Sequence, residues 1–101
     1  MSETITKVKE SIDTVILEPG RFKVVLYNDD STPMEFVIAL LIKIFRHSEE
    51  SAVHLTMKVH NDGSAVAGVY THEIAEQKGL ESSNLARQHG YPLVIKVEAD
   101  K

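Results

Sequence analysis

The sequence predicts a two-layer α+β sandwich, with a three-stranded antiparallel sheet and three helices in the order strand, helix, helix, strand, helix, strand. Three observations lead to it. The segments Phe22–Tyr27 and Pro92–Glu98 carry the two-residue side-chain period of strands. Between them lie apolar segments of helical length, each preceded by Thr or Ser in a capping position. Breakers punctuate the chain at Pro19-Gly20, Asn28-Asp29-Asp30-Ser31 and Asn61-Asp62-Gly63.

Residues 1–20 mix Ser, Thr, Glu, Lys and Asp around one short apolar patch, Val15–Leu17, and are expected to form a flexible tail. A single folded domain is expected over residues 21–101. In its first strand Phe22, Val24 and Leu26 share one face, and Lys23, Val25 and Tyr27 the other. Thr32-Pro33-Met34-Glu35 then reads as a helix start, with Thr32 as N-cap, Pro33 at the first helical position and Glu35 closing a capping box. The helix is expected to reach about Phe45 and is apolar almost all round. A surface helix needs only one apolar stripe, so a second helix, a partner or a ligand must bury the excess.

Ser48 caps a second helix running to His60, with Glu49 and Glu50 at the positive end of its dipole. Ser64–Tyr70, rich in small residues, reads as the second strand. Thr71 can cap a third helix ending near His89 with Gly90 as its C-cap, although Gly79 in its interior costs about 1 kcal/mol relative to Ala. The closing strand puts Leu93, Ile95 and Val97 on one face.

Composition limits the function. Eleven basic against fifteen acidic residues give a net charge of -4, and without a Lys/Arg cluster there is no electrostatic footprint for nucleic acid. No cysteine is present, so thiolate catalysis, disulfides and Cys-based zinc sites are excluded. The longest apolar stretch, Phe36–Ile42, is far too short to span a membrane, and with no apolar leader the protein is expected to be cytoplasmic. The five histidines never occur as HxH, HxxxH or HExxH, and no Ser sits in a GxSxG setting. Neither a metal, a cofactor nor an enzymatic activity is expected.

Asn28, Asp29 and Asp30 lie between a strand end and a helix start, and offer many acceptors and few donors. They form either a simple polar turn or a site for a cationic donor. A protein α-amino group suits the second reading, being largely an ammonium with three donors at neutral pH, since its pKa is about 7.7 to 8.0. The underused apolar face of the neighbouring helix favours a pocket for an amphiphilic ligand. His60, at the end of the second helix, is either a partner for the helix dipole or an acceptor for the same ammonium.

The run Asn28-Asp29-Asp30-Ser31-Thr32-Pro33-Met34-Glu35-Phe36-Val37, with Val59-His60, Gly68-Val69-Tyr70, Ala75-Glu76-Gln77-Lys78 and Tyr91-Pro92-Leu93, resembles the ClpS family of N-degron adaptors. The resemblance covers about residues 21–99. It implies a monomeric, non-catalytic adaptor that binds polypeptides beginning with Leu, Phe, Tyr or Trp. These would be delivered to a ClpA-like AAA+ unfoldase that works with the ClpP peptidase. Residue by residue, it implies that Asn28, Asp29 and His60 hold the substrate α-amino group. Around the side-chain pocket it places Leu26, Asp30, Thr32, Met34, Val37, Thr56, Val59 and Leu93, with Met34 as a gate against β-branched first residues. Glu73 and Lys78 match the surface that meets the unfoldase's N-terminal domain, and the tail would engage the unfoldase during delivery.

Thr56 departs from the family, which usually has Met there. A smaller side chain with a hydroxyl in need of a partner implies a preference for bulkier first residues. Two other classes compete with the adaptor. A structural module like the C-terminal domain of the ribosomal stalk protein has a similar element order but needs no ammonium-binding cluster. A metal-assisted hydrolase would use Asp29, Asp30 and His60.

Overall fold

The computed structural model describes residues 20–100, so the expected tail lies almost wholly outside the described residues. The elements are β1 (Arg21–Tyr27), α1 (Met34–Lys43), α2 (Glu49–Asp62), β2 (Ser64–Tyr70), α3 (His72–Gln88) and β3 (Val94–Asp100). This is the predicted order and fold class. β1 is the central strand, pairing antiparallel with β2 on one side and β3 on the other.

The alternation of β1 holds on the helix side, where Val24 and Leu26 join Val37, Leu40, Leu41, Phe45, Ala52 and Val59 in one core. Val25 points the other way yet is only 5% exposed. On its face Tyr27 donates its hydroxyl to Glu98, and the Lys96 ammonium lies 5.5 Å from the Tyr27 ring centroid.

The β1–β2 register shifts between Val24, opposite Gly68, and Val25, opposite Val66. Ala67 is therefore the extra residue of a β-bulge. Its carbonyl accepts the Nε2–H of His47 at 2.6 Å. A carbonyl can only accept, so Nε2 carries a proton, and Nδ1 lies 3.2 Å from Ser51 Oγ on the other side of the ring. His47 thus ties the α1–α2 turn to the bulge.

The start of α1 differs from expectation. Pro33 is the N-cap, the helix begins at Met34, and no side chain caps it. Thr32 is not the cap because its hydroxyl donates to Asp29 Oδ2 at 2.7 Å, so the capping box does not form. The helix also ends two residues before Phe45, at Lys43. Most of its apolar excess is covered. Val37, Leu40 and Leu41 are buried, and Phe36 packs edge-on against Tyr91 at 4.9 Å, with His89 at 5.3 Å.

Ser48 caps α2 as predicted, its Oγ accepting from Ser51 N at 3.1 Å. The helix passes His60 to Asp62 and stops at Gly63, whose φ of +93° is open to glycine and strained for most other residues. Thr71 holds the N-cap position of α3 without a capping bond from its side chain.

Gly79 has a packing reason. Ala75, Gly79, Ser82 and Ala86 form the buried stripe of α3, and a Cβ on Gly79 would sit 3.0 Å from Val97 Cγ2. Small residues let the helix lie close on β3, which offsets the helix penalty of glycine. Gly79→Leu is accordingly expected to overpack this contact and lower stability by about 1 to 3 kcal/mol. Chemical denaturation would show this as a lower midpoint at unchanged slope.

Candidate functional site

A hydrogen bond from Asn28 N to Gly63 O, 2.9 Å long, ties the exit of β1 to the end of α2. It brings the polar turn beside His60. Between them opens a cavity of about 230 Å³ lined by Asn28, Asp29, Asp30, Thr32, Met34, Val37, Thr56, Val59, His60 and Leu93. Four parts of the fold contribute: the loop after β1, the first turns of α1, the last turns of α2 and the residue before β3. Thr56, Val59 and His60 share a helix face because they are three and four residues apart.

The lining is sorted by polarity. Val37, Thr56, Val59 and Leu93 are buried, whereas Asn28, Asp30 and His60 are exposed and Asp29 is half-buried. Met34 is 37% exposed. The cavity therefore has a mostly apolar floor and a mouth rich in acceptors.

Asp29 also shapes its own loop. Its Oδ2 accepts from Ser31 N at 3.1 Å and from the Thr32 hydroxyl, closing a turn of the kind Asp side chains favour. A carboxylate offers about four acceptor positions, so capacity remains for a further donor.

Leu93 is set by packing that the sequence did not single out. Tyr91 N donates to Ala86 O at 2.9 Å, and the Tyr91 ring is held among Phe36 and His89. This fixes the approach of the chain to β3. The sequence signal for it was the aromatic and histidine spacing at Phe36, His89 and Tyr91, beside the Tyr91-Pro92-Leu93 run.

Of the residues expected around the pocket, Leu26 is not in its lining. Leu26 is 1% exposed and belongs to the core beneath, because its side chain faces the helix layer. Glu73 is exposed on the first turn of α3. Lys78 is half-buried, donating from Nζ to Ile44 O at 2.9 Å and lying 5.5 Å from the Tyr70 ring centroid, so it also holds α3 against the end of α1. Neither lines the cavity. Among the described residues no group of three or more His, Asp or Glu side chains is arranged to hold a metal ion. No helix there is long and apolar enough to cross a membrane.

Thr56 is the anomaly of the site. It is 3% exposed, and its Oγ1 is buried without a hydrogen-bond partner. An unpaired buried hydroxyl destabilises a fold by about 1 to 3 kcal/mol.

Fold and cavity together define a small binding domain with one polar-mouthed, apolar-floored pocket. The family model described as "ATP-dependent Clp protease adaptor protein ClpS" matches residues 17–96, and the chain belongs to the ClpS family. It is 44% identical over 93 residues to the ATP-dependent Clp protease adapter protein ClpS of Helicobacter hepaticus, covering 92% of this chain and 94% of that protein. The corresponding protein of Nautilia profundicola is 47% identical over 88 residues, covering 87% and 91%. The solved structure of Agrobacterium tumefaciens ClpS2 bound to L-phenylalaninamide superposes with a TM-score of 0.79 at 41% identity, covering 81% of this chain and 99% of that one. The protein is thus a Clp protease adaptor, a family other than that of the ribosomal stalk domain.

Thr56→Val keeps the shape of the side chain and removes the unpaired hydroxyl. It is expected to raise stability by about 1 kcal/mol, read as a higher urea midpoint than that of the native protein.

Proposed function

We propose that the cavity binds the free N-terminus of substrate polypeptides whose first residue is bulky and hydrophobic, and that the protein passes them to a Clp AAA+ unfoldase for degradation by ClpP. The observation that carries this reading is the cavity's division of labour. Acceptors of the exposed Asn28 and His60 and the half-buried Asp29 stand at the mouth, and the buried side chains of Val37, Val59 and Leu93 form the floor.

An amino-terminal residue has the same division. Its ammonium can donate to the mouth while its side chain enters the floor. L-Phenylalaninamide, bound in the similar Agrobacterium structure, has a free amine, an aromatic side chain and an amide where a peptide chain would continue.

The magnitudes are compatible with useful binding. Burying a Leu or Phe side chain contributes roughly 1.5 to 3 kcal/mol, and each charge-assisted hydrogen bond about as much. Set against the losses of association, these support binding on the micromolar scale, near -8 kcal/mol. Met34, which lines the cavity, obstructs first residues branched at Cβ in this reading, which favours Leu, Phe, Tyr and Trp.

Glu73 and Lys78 meet the N-terminal domain of a ClpA-like unfoldase in this reading. Both lie on α3, outside the cavity lining, so a bound substrate leaves them accessible. The protein acts as a monomer in the cytoplasm, where a cysteine-free chain has no need of oxidising conditions.

Fluorescence anisotropy with a labelled peptide beginning with free Phe, beside its N-acetylated twin, tests the proposal. Acetylation removes the charge and two donors. The twin should bind weaker by roughly 2 to 5 kcal/mol, and equal affinities would refute ammonium recognition.

A further inference from the structure

The apolar floor of the cavity has one polar group out of place. Thr56 lies among Val37, Val59 and Leu93, 3% exposed, with an Oγ1 that has no hydrogen-bond partner. Helical threonines often return their hydroxyl to a carbonyl three or four residues earlier. Here that bond is not made, so no hydrogen bond is lost when the hydroxyl turns about χ1 to meet a ligand.

Its position also fixes which ligand could reach it. Thr56 is one helical turn before His60, on the same face of α2. His60 is exposed at the mouth and Thr56 is buried in the floor. A side chain entering from an anchored ammonium therefore presents its far end, and not its Cβ, towards Thr56.

We infer that Thr56 is a specificity determinant: its hydroxyl pairs with a hydrogen-bonding group at the far end of the first side chain, so that tyrosine is bound in preference to phenylalanine. The inference rests on the N-terminal binding proposed above and deepens it. A phenylalanine ring fills the floor and leaves Oγ1 as it is without a ligand, buried and unpaired. A tyrosine hydroxyl, both donor and acceptor, relieves that unpaired group whichever way the threonine hydroxyl points. A site that carries an otherwise unpaired polar group discriminates between ligands that do and do not satisfy it.

The test is a matched pair of peptides differing only in Tyr or Phe at the first position, titrated by anisotropy into native protein, Thr56→Val and Thr56→Ser. N-acetylated twins are run alongside. Native protein should favour Tyr by roughly fivefold to tenfold, as expected for one neutral hydrogen bond gained. That preference should vanish in Thr56→Val and persist in Thr56→Ser, which keeps the hydroxyl. Equal native affinities for Tyr and Phe, or a Tyr preference undiminished in Thr56→Val, would overturn the inference while leaving N-terminal binding intact. Acetylated twins that bind as tightly as the free peptides would overturn the underlying reading as well.

Discussion

The hydrogen bond from Asn28 N to Gly63 O is short in reach and wide in consequence. It joins the end of the central strand to the end of α2 and continues the β1–β2 pairing that ends at Tyr27 and Ser64, so the polar turn lies beside the last turn of that helix. Gly63 can make this junction because its backbone is left-handed, at a φ of +93°. The sheet supplies the rest of the constraint: β1 is paired on both edges, so its exit has little freedom.

From that junction the other elements fall into supporting roles. The Asp29 carboxylate closes the loop on Ser31 and Thr32, which sets Pro33 and the start of α1. The ring cluster of Phe36, His89 and Tyr91 positions the approach to Leu93. On the far side His47 secures the α1–α2 turn to the bulge at Ala67. The core is conventional, and among the described residues the one buried side-chain polar atom without a partner belongs to Thr56, which lines the cavity. Local rules are most often broken where a protein binds something.

Much of this was legible in the sequence. The period of the strands, the Ser48 cap and the breaker at Asn61-Asp62-Gly63 gave the element order, because each is local chemistry. The cap of α1 was misread, since Thr32 could serve either the helix end or the Asp29 carboxylate, and only the folded loop decides between them. Leu26 was placed around the pocket by the family resemblance, and strand alternation, which reports the face of a strand and not the depth beneath it, could not tell pocket wall from the core beneath. The bulge at Ala67 depends on the register of Val25 against Val66, and the partner of His47 lies 20 residues away in sequence, so neither is local chemistry. The apolar excess of α1 pointed correctly to further burial, and most of it is satisfied within the domain by α2 and by the Phe36 ring cluster. Gly79 read in the sequence only as a penalty inside a helix and is a close helix-to-sheet approach in the fold.

The central claim is that one cavity holds an ammonium at its mouth and a hydrophobic side chain in its floor. A crystal structure of the protein with a short peptide beginning with Phe tests it most directly. The peptide nitrogen should lie within hydrogen-bond distance, about 2.7 to 3.2 Å, of Asn28 and Asp29 and reach His60 directly or through a water, with the ring among Val37, Val59 and Leu93. A peptide bound elsewhere, or one whose amino group points into solvent while its ring occupies the floor, would contradict the account.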